Sequence, residues 1–191
     1  VLTGLVAIAF IVAGDVDSSV VGLIEDAFGA WDGDAPGADH PVPRASGPSA
    51  KLVHRPGAVQ ADIRLGGIGI DRTHPRWADL LIGVHAMGGA FGSRVNLVLR
   101  EEKGWTYGAR VGLTGMRRGG FWGTSGSFRT EVVADAITEA RRLLDVTDNP
   151  FTDAEVANAI RWFTGISPLQ YATADAVAGQ TASNLLLGLD P

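Results

Sequence analysis

The sequence predicts an α+β fold, a mostly antiparallel sheet with helices packed on one face. Three observations predict it. Segments with strand-like alternation come in adjacent pairs rather than singly between helices, which disfavours a doubly wound parallel sheet. Helical periodicities are bounded by start and stop signals. The chain has 191 residues, 46% apolar and 19% charged, enough for one core and too few for two comfortable ones. Residues 1–191 therefore read as a single domain.

The opening run Val1 to Ala13 is apolar apart from Thr3 and Gly4, shorter than the roughly 20 residues of a membrane span, and no basic segment precedes it as in a signal peptide. Val6, Ile8, Ile11 and Val12 are β-branched, and Gly14-Asp15 is a turn signal, so a buried strand is predicted. A start inside a core element, without Met, predicts a chain cut at its ends. Val20, Ile24, Ala27 and Phe28 then recur at helical spacing, with Asp15 or Asp17 as the cap and Gly29 as the end. Residues 32–48 have no period and read as a surface loop.

Lys51 to His54 is predicted as a short strand, joined through Arg55-Pro56-Gly57 to a second in which Val59, Ala61, Ile63 and Leu65 face the core. Trp77, Leu80, Leu81, Val84 and Met87 make a helix opened by Pro75 and closed by Gly88-Gly89. The next runs from Ser93 to Lys103 on the stripe Val95, Val98 and Leu99, with Gly104 as a left-handed cap. Tyr107, Ala109, Val111 and Leu113 alternate as a strand, and Phe121 to Phe128 is its antiparallel partner. Thr130 to Leu144 is helical through Val133, Ile137, Ala140 and Leu144. Thr152 to Glu155 is a capping box with Phe151 and Val156 as its hydrophobic staple, and Ser167 to Gln170 repeats the device, so a helix is predicted from each.

The net charge is −5, and the basic residues are scattered without a concentrated run, which argues against nucleic acid as a partner. Without cysteine the chain has no disulfide, thiolate zinc site or thiol nucleophile. The cytoplasm is the default compartment. Fourteen arginines against two lysines suggest a GC-rich bacterial genome. His40, His54, His74 and His85 are at least eleven residues apart, so no helix offers two imidazoles a turn apart to zinc. Gly66-Gly67-Ile68-Gly69 and Gly88 to Ser93 match neither the dinucleotide nor the P-loop spacing, and read as places of tight turning and close backbone approach. No G-x-S-x-G elbow is present.

The segment Ser93 to Gly108 carries the most chemistry. Arg100 falls in the last turn of a helix, where the dipole favours a cation, and Tyr107 opens the next strand just past a glycine. Converging, they form a guanidinium fork and a phenolic donor suited to a peptide carbonyl or a developing oxyanion. The alternative is an arginine paired with Glu101 or Glu102 and a tyrosine in the core.

At these residues the sequence resembles the pitrilysin/insulinase family of zinc metallopeptidases, which includes mitochondrial processing peptidase and inactive relatives. Gly14-Asp15-Val16-Asp17, Phe28-Gly29-Ala30-Trp31, Arg55 to Ala61, His74-Pro75, Gly88-Gly89, Ser93-Arg94, Leu99-Arg100-Glu101 and Gly104 to Gly108 stand in the family's order. Trp105 stands where the family has a smaller aliphatic residue. The resemblance implies one α+β repeat of a clamshell and the C-terminal half of a longer peptidase. In such halves the zinc motif is lacking, and an arginine and a tyrosine seven residues apart reach the substrate; here these are Arg100 and Tyr107. It implies a peptide substrate and no metal or catalytic residue in this chain. Zinc is expected in an N-terminal domain or a homologous zinc-bearing subunit. No membrane partner is expected, and a dimer is compatible. The resemblance leaves a second reading open, a non-catalytic structural or assembly subunit.

Overall fold

The computed structural model describes residues 9–31, 42 and 44–190. Its helices are α1 (Ser18–Phe28), α2 (Trp77–Val84), α3 (Arg94–Asn96), α4 (Val133–Leu144), α5 (Asp153–Ile166) and α6 (Ala174–Leu187). Its strands are β1 (Gln60–Gly69), β2 (Thr106–Gly115) and β3 (Gly120–Arg129). π-Helical turns continue α2 over His85–Gly89 and α3 over Leu97–Glu102, and 3₁₀ turns lie at Thr130–Val132 and Ser167–Tyr171. Two compact units divide the chain, Val42–Gly165 and Val1–Pro41 with Ile166–Pro191.

In the unit Val42–Gly165 the three strands form an antiparallel sheet in the order β1-β3-β2. Register places Ile63, Gly126 and Ala109 in one row and Leu65, Thr124 and Val111 in the next. This face is apolar because strand residues alternate sides. It packs on Met87, Val95 and Leu99 and on Ala136, Ala140 and Leu143. Val95 and Leu99 are 1% exposed, and burying such a side chain contributes about 1.5–3 kcal/mol. Gly88 lets the first π turn lie against β2, since a Cβ there would fall 2.4 Å from the Val111 nitrogen. Gly104 ends the second π segment at φ +61°, with its amide on Arg100 O at 3.1 Å and the Trp105 amide on Leu99 O at 3.0 Å.

The other unit holds α1, capped by Asp17, whose carboxylate accepts the Ser19 amide at 2.8 Å. Phe10 and Trp31 both pack on Phe28, at 4.6 and 4.9 Å between ring centroids. α6 begins at Thr173, whose hydroxyl accepts the Ala176 amide, and ends on left-handed Gly188.

Five expectations change. Val59, read as facing the core, precedes β1 and stands 77% exposed. Residues 9–13 of the opening run are irregular; the rest of it, like residues 32–41 and 43 of the surface loop, lies outside the described residues. Lys51 to His54 is not a strand; Leu52 and Val53 stand 91% and 71% exposed, so burial gives no return for ordering an extended backbone. The capping box at Thr152 forms as read, with reciprocal bonds to and from Glu155. Its copy at Ser167 does not open an α-helix: Ser167 lies inside the 3₁₀ turn that runs on directly from Ile166 (φ −84°, ψ −25°) at the end of α5, whereas a cap residue has extended backbone. Thr173, at φ −127° and ψ 154°, supplies that break. Finally, Tyr107 does not share a face with Ala109 and Val111.

Candidate functional site

That last difference comes from a β-bulge. Thr106 pairs with Phe128 and Ala109 with Gly126, so Tyr107 and Gly108 together oppose Ser127. The Thr106 hydroxyl spans the bulge, donating to Ser127 O at 2.7 Å and accepting the Gly108 amide at 3.1 Å. Thr106 and Ala109 point into the core while Tyr107 turns out, 91% exposed.

Arg100 sits in the second π segment, and π turns occur frequently at functional sites. Its guanidinium lies over the Phe91 ring, 3.7 Å from the centroid, and Nη1 pairs with the Glu101 carboxylate. The arginine is thus held from two sides and remains 27% exposed at its side chain. Arg100 and Tyr107 line one open depression of about 570 Å³, together with Trp105, Gln60, Arg129 and Glu131. Trp105 packs its ring on the core and carries the Lys103 ammonium 5.3 Å from its centroid. Of the two readings of the sequence, the ion pair with Glu101 is present, and the tyrosine in the core is not.

The sequence reading missed the residue that ties the two segments together. Asn96, 6% exposed, accepts the Ala109 amide on Oδ1 at 2.9 Å and donates from Nδ2 to Ala90 O at 3.0 Å. The available signal is its position, one turn before Arg100 and flanked by the apolar Val95 and Leu97. Also missed is the partner of Arg94, which makes two bonds of 2.7 Å to Glu155 and reaches Asn149 O and Pro150 O at 2.6 and 2.9 Å. Arg94 and Thr152 together pull the Glu155 carboxyl down from 4.5 to about 2.

The described residues do not fit zinc: no group of three or more His, Asp or Glu converges among them. His74 Nδ1 accepts the Arg76 amide at 3.1 Å. His85 is stacked on Trp162 at 4.3 Å and lies 5.1 Å from Phe163. His40 lies outside the described residues. Among those described, no helix is long and apolar enough to cross a membrane.

Residues 6–162 match the family model described as the peptidase M16 inactive domain. The chain belongs to that family. This M16 domain is 26% identical over 183 residues to an uncharacterized zinc protease of Bacillus subtilis, covering 93% of the chain and 43% of that protein. It is 31% identical over 137 residues to an uncharacterized zinc protease of Streptomyces coelicolor, covering 71% of the chain and 29% of that protein. The chain thus spans less than half the length of these relatives. A crystal structure of a peptidase M16 inactive domain from Pseudomonas fluorescens aligns with a TM-score of 0.64 at 28% identity, over 69% of this chain and 32% of that one. A protease from Helicobacter pylori aligns at 0.75 and 18% identity, over 92% and 44%. The periplasmic protease PqqL of Escherichia coli aligns at 0.70 and 15% identity, over 91% and 20%. The last two likenesses concern the fold, which is the α+β class read from the sequence.

Proposed function

We propose that this M16 domain is the substrate-gripping half of a zinc-dependent metalloendopeptidase, acting as a single domain in the C-terminal part of a longer chain. Arg100 and Tyr107 hold the peptide backbone and stabilise the tetrahedral intermediate formed on it. The observation that carries the reading is that both residues line one open depression although one comes from a helix end and the other from a strand. The guanidinium offers fixed, permanently charged donors to a carbonyl oxygen, and the bulge turns the phenol outward, where a chain laid in the depression meets it. Such donors act by being in place before charge develops on the oxygen.

No step is assigned to zinc in this chain, since its described residues do not fit the metal. Zinc, and with it the bond-breaking water, is placed in an N-terminal domain or a homologous zinc-bearing subunit, in keeping with relatives named as zinc proteases. The isolated chain is expected to hydrolyse no peptide and to hold no stoichiometric zinc by elemental analysis; one tightly held zinc per chain contradicts this. The cytoplasm remains the proposed compartment, checked by cell fractionation.

The test is Arg100→Ala and Tyr107→Phe in the full-length protein or in the reconstituted pair. Removing one oxyanion donor lowers kcat about 10²–10³-fold. Unchanged kcat in both variants removes the role and leaves the scaffold reading.

A further inference from the structure

We infer that Asn96 is a positioning residue for the Arg100 and Tyr107 pair, fixing the helix that carries one against the strand that carries the other. This inference rests on the function proposed above. Its basis is a buried polar network that does more than satisfy itself.

Asn96 joins two backbone groups and one side-chain hydroxyl through one side chain. Nδ2 holds the Ala90 carbonyl at 3.0 Å and the Ser93 hydroxyl at 3.3 Å, which fixes the entry into α3. Oδ1 holds the amide of Ala109 at 2.9 Å, where the regular ladder with β3 resumes after the bulge. An apolar side chain here fills the space and leaves the Ala109 amide and the Ala90 carbonyl without these partners. The Ala109 amide is then a buried donor without a partner, which disfavours its present position.

Arg100 follows Asn96 by four residues along one helical stretch. Tyr107 precedes Ala109 by two residues, and between them the Thr106 hydroxyl holds the Gly108 amide at 3.1 Å. The bulge is therefore pinned at both ends, by Thr106 before Tyr107 and by Asn96 after it. What the two hydrogen-bonding side chains specify is the offset between the guanidinium and the phenol. Misplacing groups that act on a transition state by about 1 Å costs about 10²-fold in rate.

The experiment compares Asn96→Leu alone, Arg100→Ala/Tyr107→Phe, and all three changes together in the full-length zinc-loaded protein or reconstituted pair. An internally quenched fluorogenic peptide is the probe, and hydrogen exchange of the Ala109 amide is followed in parallel. We expect Asn96→Leu to lower kcat about 10–100-fold with KM changed less than about threefold, to speed exchange at Ala109, and to add nothing on the Arg100→Ala/Tyr107→Phe background. Should Asn96→Leu fail to fold, Thr106→Val carries the same three readouts from the other end of the bulge. An unchanged kcat, or an effect that multiplies fully with that of the double variant, overturns the inference while leaving the function intact. No loss of kcat in Arg100→Ala/Tyr107→Phe overturns both.

Discussion

Arg94 and Arg100 lie six residues apart on one helical stretch and are put to opposite uses. Arg94 is 11% exposed at its side chain and is consumed by the fold: Glu155 takes two of its donors, and the carbonyls that lead into α5 take others. Arg100 is 27% exposed at its side chain and is held by Glu101, its own neighbour in sequence, and by an exposed aromatic ring. The first contact set spans 61 residues of chain, so losing it loosens the tertiary structure. The second is local, so losing it leaves the fold in place. A guanidinium becomes available for function when its partners are local and the surface around it is open.

The sharpest way to break that comparison is Arg94→Ala. It leaves the partly buried Glu155 carboxylate and two carbonyls without their donor, and removing one partner of such a pair costs about 3 kcal/mol or more. Arg100→Ala is expected to change stability by less than about 1 kcal/mol. Denaturant unfolding of the two variants checks both numbers, and equal losses would dissolve the distinction.

Acid tests the same pair without a mutation. Because the folded state holds Glu155 near 2 rather than 4.5, its contribution is complete above pH 4.5 and is lost as pH falls toward 2. By linkage this amounts to about 3 kcal/mol at most. Glu155→Gln should flatten the stability profile in that window, as measured by urea titrations at successive pH values; a profile as steep as wild type refutes the assignment.

Thr152→Ala removes one arm of the capping box and should cost about 1 kcal/mol, read from the urea midpoint, with no effect there contradicting the cap. The smallest effect expected is at His85, whose burial against Trp162 and Phe163 lowers its pKa from 6.5. A base held neutral in the fold stabilises above its unfolded pKa and loses that contribution as pH drops below 6.5. His85→Phe should remove the decline that sets in just below pH 6.5 in thermal melts and leave the one assigned to Glu155 below pH 4.5; an unchanged slope just below pH 6.5 contradicts the assignment.

Much of this was legible because periodicity reports which face is wet. Ile63 and Leu65 alternate toward the core along β1, and Val95 with Leu99 marks the buried side of the helix before Gly104. The candidate pair was legible too, from the residue types flanking that glycine. What escaped depends on single-residue insertions and on distant partners. A bulge adds one residue to a strand, so the alternation from Tyr107 to Leu113 looked unbroken in sequence while Tyr107 belonged to the other side. A π turn likewise adds one residue to a helix whose apolar stripe continues. Asn96 looks unremarkable until Ala109 is beside it, and the link between Arg94 and Glu155 has no local trace. Ser167 misled because a cap is a conformation as well as a residue type.

The most direct measurement of the central claim is the turnover of Tyr107→Phe in the full-length zinc-loaded protein, a change that removes one oxygen from a side chain 91% exposed. The account predicts kcat lower by about 10²–10³-fold with an unaltered unfolding midpoint. Turnover equal to wild type would contradict it.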